Sequence, residues 1–140
     1  MHKSIIFDFD GTLADCKELH QTAFRNAVMQ LCPSAEFKDE DIEGRPTRDK
    51  IRILHTMGYE FNGDKLNELK QEYTQRCLPD YVVYNELLCN EMLRLQKKYK
   101  LCVASNATEL FVYRSLEIMQ LHHRGDGNQV FTKINTATDF

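Results

Sequence analysis

The sequence predicts an α/β fold, a parallel sheet with a helical insertion placed early in the chain. Three observations carry this reading. A short apolar run, Ser4-Ile5-Ile6-Phe7, lies near the start, and a second, Leu101-Cys102-Val103-Ala104, lies far along the chain. Between and after them, apolar residues recur at steps of three or four, which is helical spacing. Strands separated by helices imply a parallel sheet with right-handed crossovers.

Composition narrows the classes. At 140 residues the chain can bury one core and carry a small accessory lobe. A 42% share of hydrophobic and 28% of charged residues argues against disorder and against membrane spanning. No run reaches transmembrane length, and the N-terminus, one lysine followed at once by an apolar and acidic stretch, is no signal peptide. A cytoplasmic location is expected. The cysteines, Cys16, Cys32, Cys77, Cys89 and Cys102, are odd in number without metal-type spacing, so reduced and mostly buried thiols are expected. A net charge of −3 gives no footprint for a nucleic acid backbone, which leaves a small phosphorylated metabolite as the expected partner.

Each element has its own signal. After the first strand, Gly11 permits a positive-φ turn. Asp15 with Glu18 reads as a helix cap and its partner, and Leu19, Ala23, Ala27 and Leu31 give a helix over 15–31. Cys32-Pro33-Ser34 breaks it. A short helix over 39–43 follows, then one over 47–57 with Ile51 and Leu54 inward, stopped by Gly58. Asn62-Gly63-Asp64 reads as a turn into a helix whose inward residues are Leu66, Leu69, Tyr73 and Cys77, and Pro79-Asp80 closes it. Asn85 caps a further helix with the stripe Leu88, Met92, Leu95 and Tyr99, and Lys97, Lys98 and Lys100 form its solvated end. Leu101–Ala104 is continuous enough for a strand buried on both faces. Asn106 with Glu109 opens the next helix, with Val112, Leu116 and Met119 inward. Gly125-Asp126-Gly127-Asn128 is a turn before a third strand over 129–134. The predicted domains are an α/β core, 1–14 with 81–140, and a helical lobe, 15–80.

The chemistry concentrates where strands end. Asp8 and Asp10, two apart on an extended run, point the same way. Carboxylates so close require a cation between them or a retained proton, and both conditions suit phosphoryl chemistry. Thr12 offers a hydroxyl and an N–H where an anion would lie. Sites in parallel sheets lie beyond the carboxyl ends of the strands, and Ser105-Asn106 ends the second one. There a hydroxyl and the N–H groups of a helix start could hold a phosphate oxygen.

The string Asp8-Phe9-Asp10-Gly11-Thr12-Leu13 after an apolar strand resembles the first motif of the haloacid dehalogenase superfamily of phosphatases and phosphomutases. Ala104-Ser105-Asn106-Ala107 resembles its second. The resemblance implies a Rossmannoid core with an inserted helical cap, Asp8 as nucleophile, Asp10 as general acid/base, and Gly11, Thr12, Ser105 and Asn106 at the phosphate. It also implies Mg²⁺ held by Asp8 and Asp10. Glu43-Gly44-Arg45-Pro46-Thr47-Arg48 resembles the polar cap loop of beta-phosphoglucomutase-like and phosphoglycolate-phosphatase-like members, making Arg45 and Arg48 substrate candidates. Adjacent His122 and His123 do not face one site and are expected on the surface.

Two further motifs of that family, a cation and an acidic pair, have no good match. Lys133 falls inside the third predicted strand, and Asp139 is an equally weak metal candidate. A phosphate dianion beside two carboxylates gathers roughly four negative charges, so a missing cation matters. The core is therefore expected to be incomplete at its C-terminus, a shortened version of a longer member whose unpaired sheet edge invites self-association. The readings left open are hydrolysis of a small phosphate monoester, a phosphomutase reaction by the same chemistry, and an inactive remnant that binds phosphate or a partner protein.

Overall fold

Register and burial in the sheet decide which side chains reach its rim. In the computed structural model, which describes residues 3–122 and 129–137, strands β1 (Lys3–Phe7), β2 (Tyr99–Thr108) and β3 (Lys133–Ala137) pair in parallel in the order β1-β2-β3. Ile5 lies beside Leu101, and Phe7, Val103 and Ile134 lie across one row. Leu101 and Val103 are fully buried while Lys100 and Ala104 are exposed. β2 is thus buried on one face only, correcting the two-sided burial read from its apolar run. A continuous apolar run records hydrophobicity but not how many faces are covered. Ile6 on β1, at one end of the described sheet, is 69% exposed.

Two helices pack against this sheet: α5 (Glu86–Gln96) on β2, and α6 (Glu109–Ile118) on β2 and β3. Asn85 caps α5 as expected, its side chain accepting from the Leu88 N–H. Cys89 and Met92 are the fully inward residues, whereas Leu88 and Leu95 are half-buried and Tyr99 already belongs to β2. Lys100 is also in β2, so only Lys97 and Lys98 lie at the helix end. Val112, Leu116 and Met119 are buried, as their spacing predicts. The start of α6 differs from expectation. The strand runs on through Asn106, and Thr108 caps the helix by accepting from the Phe111 N–H at 3.4 Å. Thr and Asn are both good caps, and the strand ladder decided between them. β3 begins at Lys133, so the predicted strand over 129–134 lies too early. Val130 and Phe131 are buried but precede the ladder, with Phe131 edge-on to Phe7 at 6.4 Å. The turn predicted at 125–128 lies outside the described residues.

The chain divides into two compact units, Met1–Cys16 with Leu78–Asp139, and Lys17–Cys77. The second is built from α1 (Lys17–Leu31), α2 (Asp39–Ile42), α3 (Thr47–Thr56) and α4 (Gly63–Tyr81) as far as Cys77. α1 starts two residues after the predicted cap. Phe24, Ala27, Val28, Ile42, Ile51, Leu54 and Leu66 form its core. Asn62-Gly63-Asp64 is no separate turn: the Asn62 side chain accepts from the Lys65 N–H at 3.1 Å, and Gly63 is already helical. Pro79 does not close α4 either. Proline removes one N–H, but Val82 still donates to the Leu78 carbonyl at 3.0 Å and both side chains are buried, which holds the last turn.

The buried stripe of α4 also differs from the apolar one. Leu66, Lys70 and Thr74 are inward at steps of four, while Leu69, Tyr73 and Cys77 are half-buried. Lys70 is tolerated there because its ammonium donates to Thr47 Oγ1 at 2.8 Å. Lys50 is buried as well, its ammonium 5.4 Å from the Phe24 ring centre. Burial pushes its pKa down, against a smaller upward pull from Asp39. No described helix is long and apolar enough to cross a membrane.

Candidate functional site

The segment after β1 folds back on itself. Thr12, Leu13 and Ala14 all direct their N–H groups to the Phe9 carbonyl, and the Gly11 N–H reaches the Ala14 carbonyl at 2.7 Å. Gly11 permits this with φ of +82°. Phe9 anchors the turn, fully buried and edge-on to Phe111 of α6 at 5.6 Å. The acids on either side of Phe9 differ in exposure. Asp8 is exposed, with Oδ1 accepting from the Phe9 N–H at 2.8 Å, whereas Asp10 is half-buried. β1 ends at Phe7, one residue before Asp8.

Asp8 opens onto a pocket of about 390 Å³ lined by Asp8, Ala104, Ser105, Asn106, Asn135, Thr136 and Ala137. The first and second predicted motifs therefore meet in one pocket through Asp8, Ser105 and Asn106. Asp10, Gly11 and Thr12 are not among its lining residues. The backbone N–H groups of Gly11 and Thr12 bond within the turn, to the Ala14 and Phe9 carbonyls. The Ser105–Ala107 stretch is a bulge. Ala104 pairs with Asn135 and Thr108 with Ala137, so β2 takes extra residues where β3 does not. Inside it, Ser105 Oγ accepts from the Ala107 N–H at 3.1 Å. The serine's own proton is then left to donate elsewhere.

Asn135 and Thr136 were missed from the sequence. The signal existed, since polar residues at the carboxyl end of a parallel strand lie where sites form. Placing that strand over 129–134 hid it. Arg45 and Arg48 are exposed residues of the helical unit. Lys133 is the exposed first residue of β3 and does not line the pocket. His122 is half-buried, edge-on to Tyr113 at 5.3 Å, rather than at the surface. His123 and Asp139 lie outside the described residues.

Burial, with Asp10 and Asp15 nearby, pushes the Cys16 thiol up to about 12. All five cysteines are free, Cys16 and Cys89 buried and the others half-buried. Among the described residues no group of three or more His, Cys, Asp or Glu could hold a metal. Mg²⁺ needs less than that, since one or two carboxylates with water and substrate phosphate suffice. The carboxylates of Asp8 and Asp10, on either side of Phe9, are the hard oxygen donors such an ion takes.

Comparison with known proteins follows the same lines. Residues 5–140 match the family described as haloacid dehalogenase-like hydrolase. Among solved structures, a hydrolase from Pseudomonas syringae is 19% identical with a TM-score of 0.72, covering 100% of this chain and 62% of its own. A beta-phosphoglucomutase from Clostridium difficile is 18% identical with a TM-score of 0.71, covering 98% and 62%. The HAD-hydrolase YfnB from Bacillus subtilis, described as bound to magnesium, is 19% identical with a TM-score of 0.55, covering 96% and 65%. The chain spans less than two thirds of the length of each of these structures. No curated protein shows significant similarity. With the family match covering nearly the whole chain and the same fold in these structures, the chain belongs to the haloacid dehalogenase-like hydrolases.

Proposed function

We propose that Asp8 is the nucleophile of a phosphoryl-transfer site acting on a small phosphate monoester. The observation that carries this is the shared pocket: Asp8 from the end of β1 faces Ser105 and Asn106 from the bulge of β2. A carboxylate oxygen of Asp8 attacks phosphorus in line, forming the P–O bond of an aspartyl phosphate as the ester P–O bond breaks. Asp10 gives its proton to the departing alkoxide, then takes one from the water that cleaves the aspartyl phosphate. Asp8 and Asp10 would hold Mg²⁺, which when bound offsets charge on the phosphoryl oxygens. Ser105 donates its hydroxyl proton to one of those oxygens. The helical unit takes the role of substrate-selecting cap, with Arg45 and Arg48 as its anion-binding candidates, and the setting is cytoplasmic. If a substrate hydroxyl replaces water as acceptor, the same chemistry is that of a mutase.

Phosphate release from 4-nitrophenyl phosphate, with and without Mg²⁺, tests the reading. Magnesium-dependent turnover should fall at least ~10³-fold in Asp8→Asn. Unchanged turnover in that variant would remove Asp8 from the chemistry.

The exposed Ile6 on β1 favours a second reading, a binding protein without turnover that associates through this sheet edge. It expects no phosphate release under either condition and a concentration-dependent oligomer that Ile6→Lys disperses. A magnesium-dependent release lost in Asp10→Asn would refute it.

A further inference from the structure

We propose that β3 supplies the second wall of the phosphoryl site, with Asn135 and Thr136 as oxygen-binding residues. The inference rests on Asp8 being the group that faces phosphorus, as proposed above. Its basis is the mismatch between two strands. From Ala104 to Thr108, β2 advances four residues, while from Asn135 to Ala137 its partner advances two. The surplus on β2 loops out as Ser105–Ala107, and Thr136 lies opposite it, between the two paired positions. The gap so opened is the pocket, and Asp8 reaches it from the other side of β2.

Donor chemistry then assigns the roles. A phosphoryl group in line with Asp8 presents three non-bridging oxygens, each requiring a donor or a cation. No lysine or arginine lines the pocket among the described residues. Ser105 Oγ, already accepting from the Ala107 N–H, has its own proton to give, and Asn106 has an amide NH₂. These two serve one side. The Asn135 amide and the Thr136 hydroxyl are the side-chain donors facing them from β3. Both are neutral, so they bind oxygen without competing with a metal for the Asp8 carboxylate. Ala137, the last lining residue of β3, contributes no side-chain donor.

Inorganic phosphate titrated in the presence of Mg²⁺, with binding read by ³¹P line broadening and calorimetry, tests this directly. Ser105→Ala, Asn135→Ala and Thr136→Val should each weaken phosphate binding about three- to tenfold, the equivalent of one hydrogen bond. Thr136→Ser, which keeps the hydroxyl, should bind like the unsubstituted chain, and melting temperatures should stay together because the residues sit at an open rim. If Ser105→Ala weakens binding while Asn135→Ala and Thr136→Val do not, the β3 wall is refuted and the Asp8–Ser105 site stands. If the unsubstituted chain binds no phosphate, or Ser105→Ala leaves binding unchanged, both readings fall together.

Discussion

Thr136 at the rim of the sheet and Thr47 in the helical unit carry the same hydroxyl into opposite surroundings. Thr47 is buried and accepts from the buried ammonium of Lys70 at 2.8 Å, a pair closed off from water. Thr136 lines an open pocket with Asp8, Ser105 and two asparagines. In the helical unit the buried ammonium of Lys70 is tolerated because Thr47 accepts from it, since an unmade bond would cost the full desolvation of its group. At the rim water or ligand completes the bonding, and the side chains are free to be chosen for what they bind. Polarity in this chain thus has two meanings, internal adhesive and exposed recognition, and mutation separates them.

The largest expected effect tests what holds the rim in place. Phe9 lies between the two acids of the first motif, fully buried and edge-on to Phe111. Phe9→Ala should cost about 3–5 kcal/mol by denaturant unfolding and disorganise the turn that presents Asp8. A loss under about 1 kcal/mol would mean the rim does not depend on this anchor.

Next comes the pair of threonines. Thr47→Val should cost about 1.5–3 kcal/mol because it deprives a buried charged donor of a partner, and Thr136→Val under about 0.5 kcal/mol. Lys70→Met, which removes the charge with its partner's burden, should cost less than Thr47→Val. Equal losses at the two threonines would erase the distinction drawn between the regions.

What could be read from the sequence follows the same division. Helices announced themselves where apolar spacing and burial agree, as in Leu19, Ala23 and Ala27 of α1 or Val112, Leu116 and Met119 of α6. The α4 stripe was misplaced because an inward lysine looks outward until its partner is known, and Thr47 lies 23 positions away in sequence. That Asp8 and Ser105 would come together was legible because local motif chemistry points to strand ends, and both line one pocket. The turn that follows Asp8 was not, since it arises from hydrogen bonds that gather Thr12, Leu13 and Ala14 on the Phe9 carbonyl. Asn135 and Thr136 were hidden by a third strand placed at 129–134, since β3 pairs with β2 from Lys133 onward and its polar end then falls at the rim.

Gly11 offers a smaller test of the same turn. Its φ is +82°, and a Cβ built there meets nothing within 4 Å. Gly11→Ala therefore isolates backbone strain from crowding and should cost about 1–2 kcal/mol. Gly11→Asn should cost less, because asparagine tolerates positive φ better than alanine. A larger loss with asparagine than with alanine would point to crowding instead of strain.

The smallest effect at neutral pH is the one from Cys16, which is fully buried and whose thiol is held up to about 12 by burial and by Asp10 and Asp15. The folded state keeps its proton above pH 9, the ordinary value, where the unfolded chain gives it up. The folded form then binds more protons, so stability should fall as pH rises from about 9 towards 12, while nothing changes at pH 7. Cys16→Ala also leaves a small cavity, so its absolute stability is ambiguous, but the alkaline slope is not. That slope should flatten in the variant, measured by denaturant unfolding across the pH series. The thiol should also resist iodoacetamide at pH 8 while the half-buried Cys32 and Cys102 react sooner. Rapid labelling of Cys16 in the folded chain would mean that water reaches the segment after the turn, and that Asp10 is as open as Asp8.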